Sequence, residues 1–261
     1  MPGGAGSTVC IKDGGHGGPP HGHGGPPHRL LRLGKCSQSM NHTVKKISVE
    51  LIVFDLDGTL VDSLADLTKA ANFCCRRLGL PGHTLEDVMG MIGGGERKFL
   101  EGVVGAGHED LIPPCLGLYL EYYHAHCGDL TRPYPGVRET LEQLARTKKL
   151  AVLSNKLQSL TECVLEVLGL ARFFTAVRGG GPVLPLKPSP EPLMAILREV
   201  GADPARTLMV GDKPVDVVTG RGAGTFTVGV TYGYGAPESL VAAAPDFLLE
   251  EISQLPEIII E

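Results

Sequence analysis

The stretch ISVELIVFDLDGTLVDS, residues 47–63, joins an apolar run to a group of closely spaced carboxylates. The run Ile47–Phe54 is short and rich in β-branched residues, which predicts a strand buried on both faces of a sheet. Asp55 and Asp57 follow at its carboxyl end, where ligands bind in open α/β sheets. Alternation places both side chains on the same side of an extended backbone, so their like charges require a nearby cation or a shared proton.

Strand and helix signals alternate along most of the remaining chain. The later predicted strands are Leu150–Leu153, Ala176–Arg178, Thr207–Val210 and Thr225–Val230. The predicted helices are Gly136–Lys148, Leu157–Leu168, Glu191–Val200 and Val215–Ala223. Strands that alternate with helices of this length favour an α/β fold, in which a doubly wound parallel sheet is covered by helices on both faces.

Residues 64–132 interrupt this alternation, because they contain helical patterns and no convincing strand. An amphipathic helix is predicted over Ser63–Gly79, and further helices are predicted over Lys98–Val104 and Leu116–His126. A segment of this length is too long for a loop. We therefore predict an all-helical cap domain over residues 64–132, inserted into an α/β core formed by residues 47–63 and 133–261.

Residues 1–46 form a tail rich in Gly, Pro and His, in which the motif GHGGPPH occurs twice in succession. Such a segment has too little apolar surface to offset the entropy of ordering, so we predict that it is disordered. His16, His21, His23 and His28 could bind Ni²⁺, Zn²⁺ or Cu²⁺ through neutral imidazole. The alternatives are a solvated tail without chemical function and an extension upstream of a start at Met40.

The composition argues against several classes of function. The formal net charge is −5, with 24 Lys and Arg against 29 Asp and Glu, and no basic cluster that would bind nucleic acid is present. No apolar run approaches the ~18 residues of a membrane helix, and no secretory signal is recognisable. Seven cysteines without CxxC spacing do not predict a disulfide framework, so we expect a cytoplasmic protein. None of these features predicts the oligomeric state.

Polar side chains follow the later predicted strands as well. Ser154 and Asn155 end the second strand, and Lys187 follows a Gly-rich loop. Asp212 ends the fourth strand, and Asp216 opens the helix after it. This last acidic pair suits a hard divalent cation, which takes oxygen ligands. Each motif alone is a weak signal, but their order along the strand ends indicates metal-assisted phosphoryl transfer.

This order of motifs resembles the haloacid dehalogenase superfamily of phosphatases. The matching motifs are DLDGT at Asp55–Thr59, SN at Ser154–Asn155, Lys187, and GDKPVD at Gly211–Asp216. The resemblance extends from about Ile47 to Leu249, and the spacing of the first two motifs is similar to the subclass with a helical cap after the first strand. It implies a Mg²⁺-dependent phosphatase that works through an aspartyl-phosphate.

The resemblance also implies a role for each matched residue. Asp55 would be the nucleophile that takes up the phosphoryl group, and Asp57 would protonate the leaving alkoxide and then activate water. Thr59 would help to position Asp57. The Asp55 carboxylate, the Asp57 carbonyl and Asp212 would hold Mg²⁺, with Asp216 nearby. The phosphoryl oxygens would be bound by Ser154, Asn155 and Lys187.

Three further stretches are similar to the bacterial phosphoglycolate phosphatases, namely residues 92–97 (IGGGER), 132–137 (RPYPGV) and 230–235 (VTYGYG). They imply a small phosphorylated acid as substrate, with 2-phosphoglycolate as the first candidate and glycolate and phosphate as products. In the cap, Arg97 or its neighbour Lys98 would meet the carboxylate of this substrate; the alternative is a solvent-facing charged pair. Lys213 stands where the superfamily more often has Ser or Thr.

Other functions stay open on the sequence alone. They are a phosphatase for a sugar phosphate, pyridoxal phosphate or a nucleotide, and a sugar phosphomutase, which would use the same two aspartates. A different class is a non-catalytic or metal-handling protein that acts through the His-rich tail. Deletion of residues 1–46 separates this class from the others, because a phosphatase would keep its turnover without the tail.

Overall fold

The computed structural model describes residues 31–32, 46–181 and 185–260 of the chain. Its strands are β1 (Leu31–Arg32), β2 (Ile47–Ser48), β3 (Leu51–Phe54), β4 (Val61–Asp62), β5 (Arg132–Pro133), β6 (Lys149–Leu157), β7 (Ala176–Gly180), β8 (Thr207–Gly211), β9 (Phe226–Val230), β10 (Phe247–Leu249) and β11 (Ile259–Ile260). Its α-helices are α1 (Leu64–Leu78), α2 (Leu85–Met91), α3 (Glu96–Val104), α4 (Ile112–His126), α5 (Val137–Leu144), α6 (Gln158–Val167), α7 (Glu191–Val200), α8 (Pro214–Gly222) and α9 (Pro237–Ala242). Short 3₁₀ helices cover Glu109–Leu111, Ala171–Phe173, Pro204–Arg206 and Ile252–Ile258.

Strand β3 lies at the centre of the fold because all four of its side chains are apolar and fully buried. Leu51 and Val53 belong to the core on one face of the sheet, and Ile52 and Phe54 belong to the core on the other. Burial of each such side chain contributes about 1.5–3 kcal/mol to stability. The strand is therefore a rigid base for the aspartates that follow it.

The main sheet is parallel and has the order β1-β10-β9-β8-β3-β6-β7. From β3 the chain continues to β6 and β7 on one side, and then crosses to β8, β9 and β10 on the other side. The change of direction lies at β3, and this is the position where open α/β sheets bind ligands. Apolar side chains are buried on both faces of the sheet, and the predicted doubly wound α/β fold is confirmed.

Most predicted elements are present with ends shifted by a few residues, and α7 has the predicted bounds. The predicted first strand, Ile47–Phe54, is two strands, because Ile47–Ser48 pairs with β11 whereas Leu51–Phe54 joins the main sheet. The sequence does not predict α2, α9 or β10, since each is short and its few apolar residues show no clear periodicity.

Strand β1 pairs with β10 at the edge of the main sheet. It lies within the tail, residues 1–46, for which the sequence predicts disorder. The rest of that tail up to residue 45, including its four histidines, lies outside the described residues. Disorder and metal binding in the tail therefore stay predictions.

The four helices α1 to α4 pack together as one unit, for which we keep the term cap. No strand is found among residues 64–131, all of which are described. The two connections to the core run side by side, because β4 and β5 pair in antiparallel fashion. At the base of the cap, Asp66 Oδ2 accepts hydrogen bonds from the backbone N–H groups of Leu130 and Thr131 (2.9 and 2.8 Å), which ties the first helix to the end of the segment.

The cysteines in the described part of the chain are free thiols, and they are Cys74, Cys75, Cys115, Cys127 and Cys163. Cys74 and Cys75 lie on α1 and are buried in the core. Among the helices in the described part of the chain, none combines the length and the apolar character that a membrane span requires.

Candidate active site

Asp55 leaves the carboxyl end of β3 and is held by a buried lysine. Its backbone N–H donates to the carbonyl of Val210 in β8 (2.9 Å), which extends the sheet by one residue. Lys187 Nζ lies 2.8 Å from Asp55 Oδ1 and 2.7 Å from Asp216 Oδ1. The same ammonium group donates to the carbonyl of Leu153 (3.0 Å). One lysine therefore joins Asp55 after β3, Leu153 in β6 and Asp216 at the start of α8.

Lys187 remains charged in this buried position. Burial alone would lower its pKa, but the carboxylates of Asp216 and Asp55 outweigh burial and raise the pKa above its ordinary value. Asn155 fixes the lysine backbone, because its Oδ1 accepts from the Lys187 N–H (2.8 Å) and its Nδ2 donates to the Lys187 carbonyl (3.0 Å). Nδ2 also donates to the carbonyl of Gly93 in the cap (2.9 Å). The amide predicted to bind phosphate thus positions Lys187 and contacts the cap.

Asp57 is held by Ser63 and Lys156, for which the sequence motifs predict no role. Ser63 Oγ donates to Asp57 Oδ1 (2.5 Å), and Lys156 Nζ lies 3.0 Å from Asp57 Oδ2. Thr59, which is expected to position Asp57, has a buried hydroxyl without a hydrogen-bond partner among the described residues. In the tight turn after β3, the Gly58 N–H donates to the Val61 carbonyl (2.9 Å) and the chain reverses direction. Ser63 is thereby placed beside Asp57, where Thr59 was expected.

Lys156 connects the core to the cap. Its Nζ lies 3.4 Å from the Tyr123 hydroxyl and 4.7 Å from the centre of the Tyr123 ring. Burial alone would lower the pKa of Lys156, but the charge of Asp57 and other neighbours raises it. The cap residue Glu96 accepts from the Leu157 N–H (2.9 Å), and burial raises the pKa of Glu96 although Lys156 opposes this. The location of Lys156 at the end of β6 is the sequence signal that could have identified it.

Three carboxylates form a cluster beside the lysine. Asp55, Asp212 and Asp216 are buried, and each places one carboxylate oxygen within 4.8 Å of the others. Asp212 Oδ2 accepts from the backbone N–H groups of Tyr234 (2.7 Å) and Gly235 (3.1 Å). Its Oδ1 is buried and has no hydrogen-bond partner in the described part of the chain. Burial, together with the neighbouring carboxylates, raises the pKa of Asp55 to about 6 and that of Asp212 to about 7.

The backbone approaches Asp212 closely at two glycines. A Cβ atom on Gly58, which has a φ of +87°, would overlap Asp212 Oδ2. A Cβ atom on Gly233 would overlap both Asp212 and the Gly58 carbonyl. Buried carboxylates, an oxygen that no described residue hydrogen-bonds, and a glycine-lined cradle together fit a hard cation. The described residues can therefore hold a metal ion at this position.

A small cavity lies between the core and the cap, next to the aspartate pair. Its volume is about 40 Å³, which is room for a few waters. Its polar lining consists of Asp55, Asp57, Glu96, Tyr119, Ser154, Asn155, Lys156, Lys187 and Lys213. Arg97 is not among the lining residues, because its side chain is 84% exposed and pairs with Glu101 (2.9 Å). Arg97 therefore faces solvent and does not line the cavity in which a substrate carboxylate would bind.

The comparisons with known proteins agree with this geometry. The family model of haloacid dehalogenase-like hydrolases matches residues 52–230. The chain belongs to this family and is a hydrolase, so the resemblance predicted from the motifs is confirmed.

Similar proteins carry a more specific name. The chain is 36% identical to the phosphoglycolate phosphatase of Aquifex aeolicus strain VF5 over 208 residues, which cover 79% of this chain and 95% of that protein. It is 37% identical to the phosphoglycolate phosphatase of Neisseria meningitidis serogroup A over 222 residues, with coverages of 80% and 92%. A crystal structure from Haemophilus somnus 129PT, described as a predicted phosphoglycolate phosphatase, has a TM-score of 0.76 and 32% identity, and covers 80% of this chain and 97% of its own.

Proposed function

We propose that the chain is a Mg²⁺-dependent phosphomonoesterase that hydrolyses 2-phosphoglycolate to glycolate and phosphate through an aspartyl-phosphate on Asp55. The observation that carries the proposal is the environment of Asp55. Its carboxylate lies at the switch point of the sheet, 2.8 Å from Lys187 Nζ and in one cluster with two further acids. A carboxylate nucleophile needs adjacent positive charge to approach a phosphate dianion, and a lysine and a cation would both supply it here.

The acid cluster is the expected site of Mg²⁺. Asp55, Asp212 and Asp216 would hold the ion, with the main-chain carbonyl of Asp57 as a further oxygen donor. The buried Asp212 Oδ1, which has no hydrogen-bond partner among the described residues, supports this assignment. When bound, Mg²⁺ neutralises charge on the nucleophile and on the transferred phosphoryl group.

Two residues would carry the chemical steps. In the first step the Asp55 carboxylate attacks phosphorus, the ester P–O bond breaks, and Asp57 gives a proton to the leaving alkoxide. In the second step Asp57 takes a proton from a water molecule that attacks phosphorus, and the bond between phosphorus and Asp55 breaks to release phosphate. Ser63 and Lys156 would hold Asp57 for both proton transfers.

The remaining lining residues would bind the phosphoryl group and exclude water. Lys187 would neutralise charge on the phosphoryl oxygens, and the Ser154 hydroxyl would donate to one of them. Asn155 would act indirectly, since it positions Lys187 and contacts Gly93. Closure of the cap over the site would keep bulk water from the aspartyl-phosphate.

Two observations support a small phosphorylated acid as the substrate. The names of the relatives from Aquifex aeolicus and Neisseria meningitidis point to 2-phosphoglycolate. The cavity is lined by the cationic side chains of Lys156, Lys187 and Lys213, which favours an ester that carries a second anionic group.

The proposal is tested by phosphate release from a panel of esters in the presence of Mg²⁺. The panel contains 2-phosphoglycolate, a hexose phosphate, pyridoxal phosphate and a nucleoside monophosphate. We expect 2-phosphoglycolate to lead in kcat/KM, and we expect Asp55→Asn, which keeps the shape of the side chain, to lose at least ~10³-fold in kcat.

Each alternative gives a different result in the same panel. Preference for another ester together with an inactive Asp55→Asn would retain the mechanism and reject the substrate. Conversion of a hexose phosphate into its isomer without phosphate release would favour the mutase. Absence of turnover with every ester would reject the phosphatase itself.

A further inference from the structure

The lysines that line the cavity differ in their partners. Lys187 pairs with Asp55 and Asp216, and Lys156 pairs with Asp57. Lys213 has no carboxylate within ion-pair distance among the described residues, although it lines the same cavity. Lys187 and Lys156 are thus already engaged by the carboxylates of the reaction centre, whereas in the described part of the chain the ammonium group of Lys213 has no such partner.

Lys213 also has free donor capacity. Its Nζ donates one hydrogen bond, to the carbonyl of Ile92 in the cap (2.5 Å), and lies 6.0 Å from the centre of the Tyr234 ring. An ammonium group has three N–H donors, so two stay without an acceptor in the described part of the chain. Half-buried beside a small polar cavity, these donors match an anionic group of a ligand.

The backbone of Lys213 is fixed relative to the acid cluster. It follows Asp212 directly, and its backbone N–H donates to Asp216 Oδ2 (3.1 Å). On the cap side, a Cβ atom on Gly93 would lie 3.0 Å from Lys213 Nζ, so glycine allows the cap loop to come close to the ammonium group. Lys213 therefore lies at the boundary between cap and core, with its main chain anchored at the reaction centre.

We propose that Lys213 binds the carboxylate of the substrate and so selects phosphorylated acids over neutral phosphomonoesters. This inference rests on the proposed function. In 2-phosphoglycolate the carboxylate carbon is only three bonds from phosphorus, so both anionic groups must lie in this one cavity. With Lys187 and Lys156 paired to the catalytic aspartates, Lys213 is the cation that receives the second group. Arg97 cannot take this role from its exposed position on α3.

The test compares two esters that differ only in this group. Ethyl phosphate has the carbon skeleton of 2-phosphoglycolate with a methyl group in place of the carboxylate. We expect Lys213→Met to lower kcat/KM for 2-phosphoglycolate about 10- to 100-fold, as for loss of a hydrogen bond between charged groups, and to change kcat/KM for ethyl phosphate less than about threefold. Lys69→Met, which removes an exposed cap lysine, is the matched control and should change neither.

Three results would overturn the inference. If Lys213→Met lowers kcat/KM equally for both esters, Lys213 acts in phosphoryl transfer or in folding. If it lowers kcat/KM for neither ester, another group binds the carboxylate. If Arg97→Met rather than Lys213→Met lowers kcat/KM for 2-phosphoglycolate, Arg97 binds the carboxylate, as the sequence predicts. Melting temperatures of the variants separate folding from recognition.

The wild-type enzyme separates this inference from the proposed function. If it prefers another phosphorylated acid, the substrate assignment fails, and that acid and its uncharged analogue decide the role of Lys213. If it hydrolyses ethyl phosphate as well as any phosphorylated acid, the site does not recognise a carboxylate and the inference is overturned.

Discussion

Replacement of Lys187 by Met should affect stability and turnover in different ways at different pH. The lysine ammonium lies 2.8 Å from Asp55, 2.7 Å from Asp216 and 3.0 Å from the Leu153 carbonyl, and it is buried. Methionine retains most of the volume and removes the charge. Two buried carboxylates then lose their cation, and loss of one partner of a buried ion pair costs about 3–5 kcal/mol.

The loss of stability in Lys187→Met should depend on protonation of Asp55. Burial already raises the pKa of this carboxyl to about 6, and Lys187 is the group that opposes the rise, so the pKa of Asp55 in Lys187→Met lies higher still. At pH 8 without Mg²⁺ we expect the full loss of about 3–5 kcal/mol, because the wild-type pair is ionised. At pH 5 the Asp55 carboxyl of the variant binds a proton and no longer carries a charge without a partner, so the loss of stability should be smaller than at pH 8 by at least about 1 kcal/mol.

Urea unfolding at both pH values measures these differences, and phosphate release measures the accompanying loss of kcat, which we expect to exceed ~10³-fold. Lys149→Met is the matched control. Its Nζ also donates to a main-chain carbonyl, that of Val200 (2.9 Å), but at the surface, so the change should stay within about 0.5 kcal/mol at either pH. A loss in Lys187→Met that is equal at pH 5 and pH 8 would refute the reasoning, since it would show that packing rather than charge accounts for the loss.

Two further predictions concern the aspartates. Ser63→Ala removes the 2.5 Å hydrogen bond to Asp57 and should lower kcat about 10- to 100-fold with little change in KM. Thr59→Val should change kcat less than about threefold, because the Thr59 hydroxyl has no partner among the described residues. Steady-state kinetics in which Thr59→Val loses more kcat than Ser63→Ala would contradict this prediction. Without Mg²⁺, the free energy of unfolding should fall as pH rises from about 4 to about 7, because Asp55 and Asp212, with pKa values of about 6 and about 7, bind protons more tightly in the folded than in the unfolded chain. Mg²⁺ should restore the lost stability at pH 7.5 and have little effect at pH 4.5, and a melting temperature that responds equally to Mg²⁺ at both pH values would exclude the acid cluster as the metal site.

The location of the site at the carboxyl ends of the strands could be predicted from the sequence, because parallel sheets in general bind ligands at this edge. Carboxyl ends of parallel strands meet at one edge, so Asp55, Ser154 and Asp212 could be assigned to one site without knowledge of any contact. Lys187 follows β7 only after a loop, and its assignment depended on the resemblance of the motifs. Burial of β3 on both faces could be predicted in the same way, since Leu51–Phe54 contains only apolar residues.

The side-chain partners of Asp57 depend on details that composition and periodicity do not encode. Ser63 reaches Asp57 because the turn at Gly58 reverses the chain, and Lys156 reaches it from a neighbouring strand. For Arg97 a local signal was available, because Glu101 follows at the i+4 position of the same helix and pairs with it. The cytoplasmic location and the absence of a nucleic acid partner stay predictions from composition.

The central claim is that Asp55 carries the phosphoryl group during turnover, and direct trapping of this intermediate tests it. Wild-type protein is mixed with saturating 2-phosphoglycolate and Mg²⁺, quenched within milliseconds and treated with borohydride, which reduces an acyl phosphate to an alcohol. Peptide mass spectrometry should then find Asp55 converted to homoserine, and the conversion should be absent without substrate. Turnover without any reduced residue, or with reduction at Asp57 or Asp212 instead, would contradict the account.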